Sequence, residues 1–77
     1  MREVEVGGKY RHYKGNLYEV IAVARDSEDP KKELVVYKAL YNSPEFGSNQ
    51  VWVRAKEDFL AEIEKDGKKM WRFEEIL

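Results

Sequence analysis

Apolar and polar positions along this chain alternate in short runs, and turn residues break the runs at close intervals. The runs occupy residues 9–13, 17–25, 33–41 and 50–54, with a last one carrying Trp71, Arg72 and Phe73. Between them stand Gly15-Asn16, Glu28-Asp29-Pro30, the polar stretch 42–49 and Asp66-Gly67. Short β-branched and aromatic runs with regular turn punctuation predict an antiparallel all-β domain. At this chain length a small closed sheet is favoured, because closure removes exposed edges. The expected fold is therefore mainly β, a small SH3-like antiparallel barrel of about five strands with one short helical turn. Its 77 residues form a single domain.

The turns also suggest registers. A two-residue loop at Gly15-Asn16, with glycine supplying positive φ, sets Tyr13 opposite Tyr18, His12 opposite Glu19 and Arg11 opposite Val20. A histidine beside Glu19 holds its proton more firmly than a free one. The run 33–41 places Val35, Tyr37, Ala39 and Tyr41 on one face and Leu34, Val36, Lys38 and Leu40 on the other. Val51 and Val53 share a face, and Trp52 shares the opposite one with Arg54. Residues 55–64 have Phe59, Leu60 and Ile63 at helical spacing but are short, so one helical turn at 56–59 followed by a strand is expected. Asp66-Gly67 is a strong type I′ signal that sets Ile63 against Met70 and Glu64 against Lys69.

Composition narrows the function. Five Tyr, three Phe and two Trp must fill a core without help from cysteine, which is absent. A disulfide framework and a thiolate metal site are thereby excluded. Fourteen Lys and Arg face fifteen Asp and Glu, a formal net charge of -1, so no whole-domain basic field exists for nucleic acid. No apolar run reaches membrane-spanning length, and the first residues, MREVEVGGKY, lack the apolar core of a signal peptide. A cytoplasmic protein without membrane association is expected.

Catalytic chemistry has little to work with. The serines, Ser27, Ser43 and Ser48, lie in loops, and His12 is the sole histidine. A base–orienter pair of His12 and Glu19 with Ser27 as nucleophile is the best triad available, and an ordinary hairpin ion pair explains the same residues better. Asp26, Glu28 and Asp29 lack the spacing of a dedicated calcium loop and read as a solvated turn. No metal and no cofactor is expected, and the domain is expected not to be an enzyme.

The quoted stretches GKYRHYKGNLYEVIAVARDSE, ELVVYKALYN, VWVR with Phe59 after it, and DGKKMWRF together resemble DUF1653, a family of small bacterial domains of unknown function. The hallmark is YRHYKG followed by AR.SE and W.R, and the likeness runs from Gly8 to Ile76. It implies a bacterial domain with no assigned activity and carries over no catalytic residue. ALYNS, residues 39–43, is similar to the ALYDY stretch of SH3 domains. That stretch opens an SH3 domain, whereas here it closes the third run, so the likeness is coincidental.

Recognition is the reading with most support. Arg11, His12 and Lys14 share the first hairpin, Arg54 joins from the fourth run, and Tyr41 and Trp52 are interleaved with them. These six are the candidate ligand-binding residues, with Arg25 and Glu28 as second choices. The expected partner is a protein or peptide held in an aromatic groove. The alternatives are single-stranded RNA or a nucleotide on the same surface, and an enzyme of unrecognised type. The whole reading requires rings and cations from separate strands to meet at one accessible place.

Overall fold

In the computed structural model, which describes residues 2–76, the chain forms nine strands and one helical turn. They are β1 (Lys9–His12), β2 (Leu17–Arg25), β3 (Glu33–Ala39), β4 (Asn42–Ser43), β5 (Gly47–Ser48), β6 (Val51–Ala55), α1 (Lys56–Phe59), β7 (Glu62–Lys65), β8 (Lys68–Trp71) and β9 (Phe73–Ile76). Five of the strands make one antiparallel sheet in the order β6-β3-β2-β1-β9. The other four form two small hairpins, β4-β5 and β7-β8. Mainly β architecture with a five-stranded antiparallel sheet and one helical turn is what the run pattern predicts. No ladder joins β6 to β9 among the described residues, yet the sheet curls until Arg54 of β6 lies over the Phe73 ring of β9, 5.7 Å from its centroid.

The first hairpin departs from expectation. His12 N–H donates to the Asn16 carbonyl and Gly15 N–H to that of His12, so the loop has three residues, 13–15, and Gly15 carries its positive φ of 111° at the last of them. Arg11 consequently faces Leu17 rather than Val20, and Tyr10 faces Tyr18. The slip is an odd number of residues and exchanges faces. His12 and Glu19 end on opposite sides of the sheet, and the Tyr13–Tyr18 pair does not form. The Asp66-Gly67 hairpin keeps its predicted register, Ile63 with Met70 and Glu64 with Lys69, and β3 pairs with β6 so that Val35 and Tyr37 stand opposite Arg54 and Trp52. Asp66 and Gly67 both take positive φ, as a type I′ turn requires. A bulge at Ile21 interrupts the β2–β3 ladder and turns that side chain out, so Val20 and Val23 both face inward.

The concave face holds the core. Tyr10, Val20, Val35, Tyr37, Phe59 and Phe73 are buried together. Phe59, at the end of α1, plugs the curl and stacks on Phe73 at 4.2 Å and 10°. Tyr10 and Tyr37 meet Phe59 at 5.1 and 5.5 Å. Aromatic pairs in such geometries contribute beyond their buried area, by about 0.5–1.5 kcal/mol each. The N-terminal arm straps the domain: the Arg2 guanidinium donates to the Leu60 and Phe73 carbonyls and lies 4.0 Å over the Trp71 ring. Glu5 N–H donates to the Tyr10 hydroxyl, which satisfies that buried group.

Candidate recognition site

Strand alternation decides which predicted residues meet. On β1, Tyr10 and His12 face the concave side and Arg11 between them faces out. On β2, Tyr18 faces in. On β6, Trp52 and Arg54 face in beside Tyr37 and Val35. The concave side therefore gathers His12, Trp52 and Arg54 from three strands, and Tyr41 joins them just beyond β3. Arg11 is exposed on the other face, opposite Leu17 and Glu74, and leaves the set. Lys14 sits at the loop tip, with its ammonium 5.8 Å over the Tyr13 ring. The second choices separate as well. Arg25 donates to the Pro30 carbonyl and Glu28 N–H to the Asp26 carboxylate, so each braces the loop on its own.

Phe73 is the ring about which the site is arranged. His12 meets it edge-on at 4.8 Å, Tyr18 at 5.7 Å and Tyr37 at 5.3 Å, and Arg54 lies over it. Tyr18 continues outward to Tyr41, ring to ring at 5.6 Å, with the two hydroxyls 2.8 Å apart. Trp52 stands beside Tyr37 in the ladder and packs edge-on against Phe46, 5.2 Å away. Trp52 is 36% exposed and Phe46 52%, whereas Tyr37 is 6% and Tyr10 1%. The tyrosines thus divide: Tyr10 and Tyr37 are core, while Tyr18 and Tyr41 are half-buried members of an open rim. Residue types alone do not show this division, and Phe46 is beyond any strand pattern. It is placed by the β4-β5 loop, where the Ser43 hydroxyl accepts from the Glu45 and Phe46 N–H groups.

The electrostatics are one-sided. Lys56 makes the ion pairs found among the described residues, with Glu3 at 3.7 Å and Glu33 at 3.4 Å. Among those residues neither Arg54 nor Arg72 has a carboxylate partner. Arg54 Nε reaches only the Tyr37 hydroxyl, at 3.4 Å. Burial lowers the His12 pKa below the ordinary imidazole value, and the charges of Arg54, Lys14 and Arg72 push it the same way. This overturns the expectation of a firmly held proton, because Glu19 is not the neighbour. Burial likewise raises the Tyr18 phenol, helped by its bond to Tyr41.

A pH effect on stability follows from His12. Its folded pKa lies below its unfolded value of about 6.5, so the unfolded chain takes up the proton first. The neutral ring's contribution is complete above the unfolded pKa and is lost as pH falls toward the folded one. Denaturation midpoints are expected to drop between pH 7 and 5, and His12→Gln is expected to flatten that slope relative to the parent. An unchanged slope in the variant counts against the placement of His12.

Curl, plug and cation-bearing aromatic rim together define a small antiparallel β domain with a half-exposed aromatic edge. The sequence profile of DUF1653, a family of proteins of unknown function, matches residues 8–75, and the chain belongs to that family. A DUF1653-family protein from Bordetella bronchiseptica, known from its crystal structure, is similar to it. The two chains are 27% identical with a TM-score of 0.78, over 91% of this chain and 85% of that one. No protein of curated function matches the chain. Among the described residues no helix is long and apolar enough to cross a membrane.

Proposed function

We propose that this domain is a non-catalytic recognition module, and that it takes an extended peptide or protein segment along the rim formed by Tyr18, Tyr41, Phe46, Trp52 and Arg54. The observation that carries the reading is the exposed edge-on pair of Trp52 and Phe46, continuous through Tyr37 with the Tyr18–Tyr41 pair. Half-exposed aromatics beside a cation are the residue types that dominate binding energy at interfaces. Among the described residues the strand bearing Trp52 has a ladder partner on one side only, so its other side offers backbone groups to an added strand. Catalysis is disfavoured by the same geometry. His12 and Glu19 lie on opposite faces, the Ser43 hydroxyl is taken up by its loop, and the Ser48 hydroxyl donates to Asn42. A peptide is favoured over RNA because the formal net charge is -1 and, on the outward face, Glu19 stands between Lys9 and Lys38 in the ladder, so no unbroken basic row forms there.

Panning the immobilised domain against a random peptide display library, with pooled single-stranded RNA in a parallel binding assay, tests this. A related set of peptides is expected to be enriched by the parent and lost with Trp52→Ala. Retention of RNA alone, with affinity falling steeply as salt rises, assigns the surface to nucleic acid. Retention of neither ligand removes the reading.

A further inference from the structure

The hydrogen-bonding groups left over at this rim are donors. His12 Nδ1 accepts from the Lys14 N–H at 3.2 Å, so the neutral ring keeps its hydrogen on Nε2, which can only donate. Tyr18 and Tyr41 share one hydrogen bond between two hydroxyls, which leaves one O–H to give. The terminal amino groups of Arg54 have no protein acceptor among the described residues, and Arg72 Nε is buried without one. Arg54 and His12 flank one ring, that of Phe73. A half-buried place that presents donors and cations, with no carboxylate among them from the described residues, is complementary to an acceptor bearing negative charge.

Resting on the recognition reading above, we infer that the ligand's anchoring group is an oxyanion, a carboxylate or a phosphate carried by the bound segment, seated by Arg54, His12 and the Tyr18–Tyr41 hydroxyl pair, with the ligand's apolar part against Trp52. The guanidinium fork of Arg54 suits either oxyanion. Arg72 adds charge from the junction before β9. Occupancy has a signature that a purely apolar contact lacks. The charges acting on the imidazole come from Lys14 in the turn, Arg54 on β6 and Arg72 before β9, with the Tyr13 ring packed against it at 4.5 Å from the turn and the Tyr18 ring at 6.4 Å from β2. An added negative charge offsets those cations and raises the His12 pKa. By linkage, a carboxylate ligand then binds more tightly as pH falls through that range.

His12 is the only histidine, so its ring gives a single resolvable titration curve by proton NMR. The full chain is titrated alone and with phenyl phosphate, phenylacetate or benzyl alcohol, while the Trp52 and Tyr41 resonances are followed. Either anionic probe is expected to raise the His12 pKa by about one unit, equivalent to a tenfold change in proton affinity, and benzyl alcohol is expected to leave it in place. The stronger of the two anions identifies the source. Arg54→Gln is expected to remove most of the shift, and Arg11→Gln, on the outer face, to preserve it. If all three probes move the Trp52 signal and none moves the His12 pKa, the oxyanion is wrong and the aromatic surface stands. If no probe moves either signal, both fail.

Discussion

Phe73→Ala is expected to lower the unfolding free energy by about 3–5 kcal/mol, the range for emptying a buried aromatic site. A domain of this size has only about 5–15 kcal/mol in total, so the variant is expected to sit at or past the edge of folding at 25 °C. The size of the effect follows from position. Phe73 is 1% exposed, stacks face to face on Phe59, and meets His12, Tyr18 and Tyr37 edge-on. Alanine there leaves a hole beside four other rings. Urea titration followed by far-ultraviolet circular dichroism measures the loss. Phe46→Ala is the matched comparison, because that ring is 52% exposed. Away from buried features, substitutions usually stay within about 0.5 kcal/mol. A loss below about 1 kcal/mol for Phe73→Ala means that the stacked pair is not the centre of the core.

The same residue shows what the sequence makes legible. Val35, Tyr37 and Ala39 alternate cleanly, so their common face is readable, and all three are buried. Asp66-Gly67 fixes its hairpin because few other residues take consecutive positive φ. Phe73 belongs to neither pattern. The chain leaves the small hairpin at Trp71 and joins the large sheet at Phe73, and that change of sheet breaks the period of two at Arg72. Gly15 is compatible with two loop lengths. A glycine before an asparagine suits a two-residue loop, yet it serves equally as the last residue of a three-residue one, and no local signal separates them. The cost of that ambiguity is the His12–Glu19 pair and, with it, the direction of the His12 shift. Arg11 is a different case. It stands between Tyr10 and His12, and strand parity alone puts it on the far face. Grouping residues by chemical type rather than by parity sets it beside residues that lie on the opposite face. Phe46 depends on how a polar loop folds over Trp52, which is tertiary information.

Trp52→Ala is expected to weaken the peptides recovered by panning about 30-fold or more, a loss of roughly 2 kcal/mol of the kind measured at interface hot spots. It is expected to do so without unfolding the domain. Trp52 lies on an edge strand at 36% exposure, and its in-register neighbour Tyr37 keeps Tyr18, Phe59 and Phe73 as partners. Phe46 loses its edge-on contact in the variant, so part of the affinity loss comes from a rim that is less well ordered. Phe46→Ala is therefore expected to lie between the parent and Trp52→Ala. Calorimetric titration of the enriched peptides supplies the affinities, and denaturation midpoints separate lost binding from lost fold. The opposite face offers an internal check. Ile21, Val51 and Val53 are exposed there at 43%, 46% and 58%, and an apolar strip of that kind is the other place on this sheet where a partner can settle. Should Val53→Ser abolish binding while Trp52→Ala leaves it intact, the partner sits on the convex side, and the cations around Phe73 have no part in holding it.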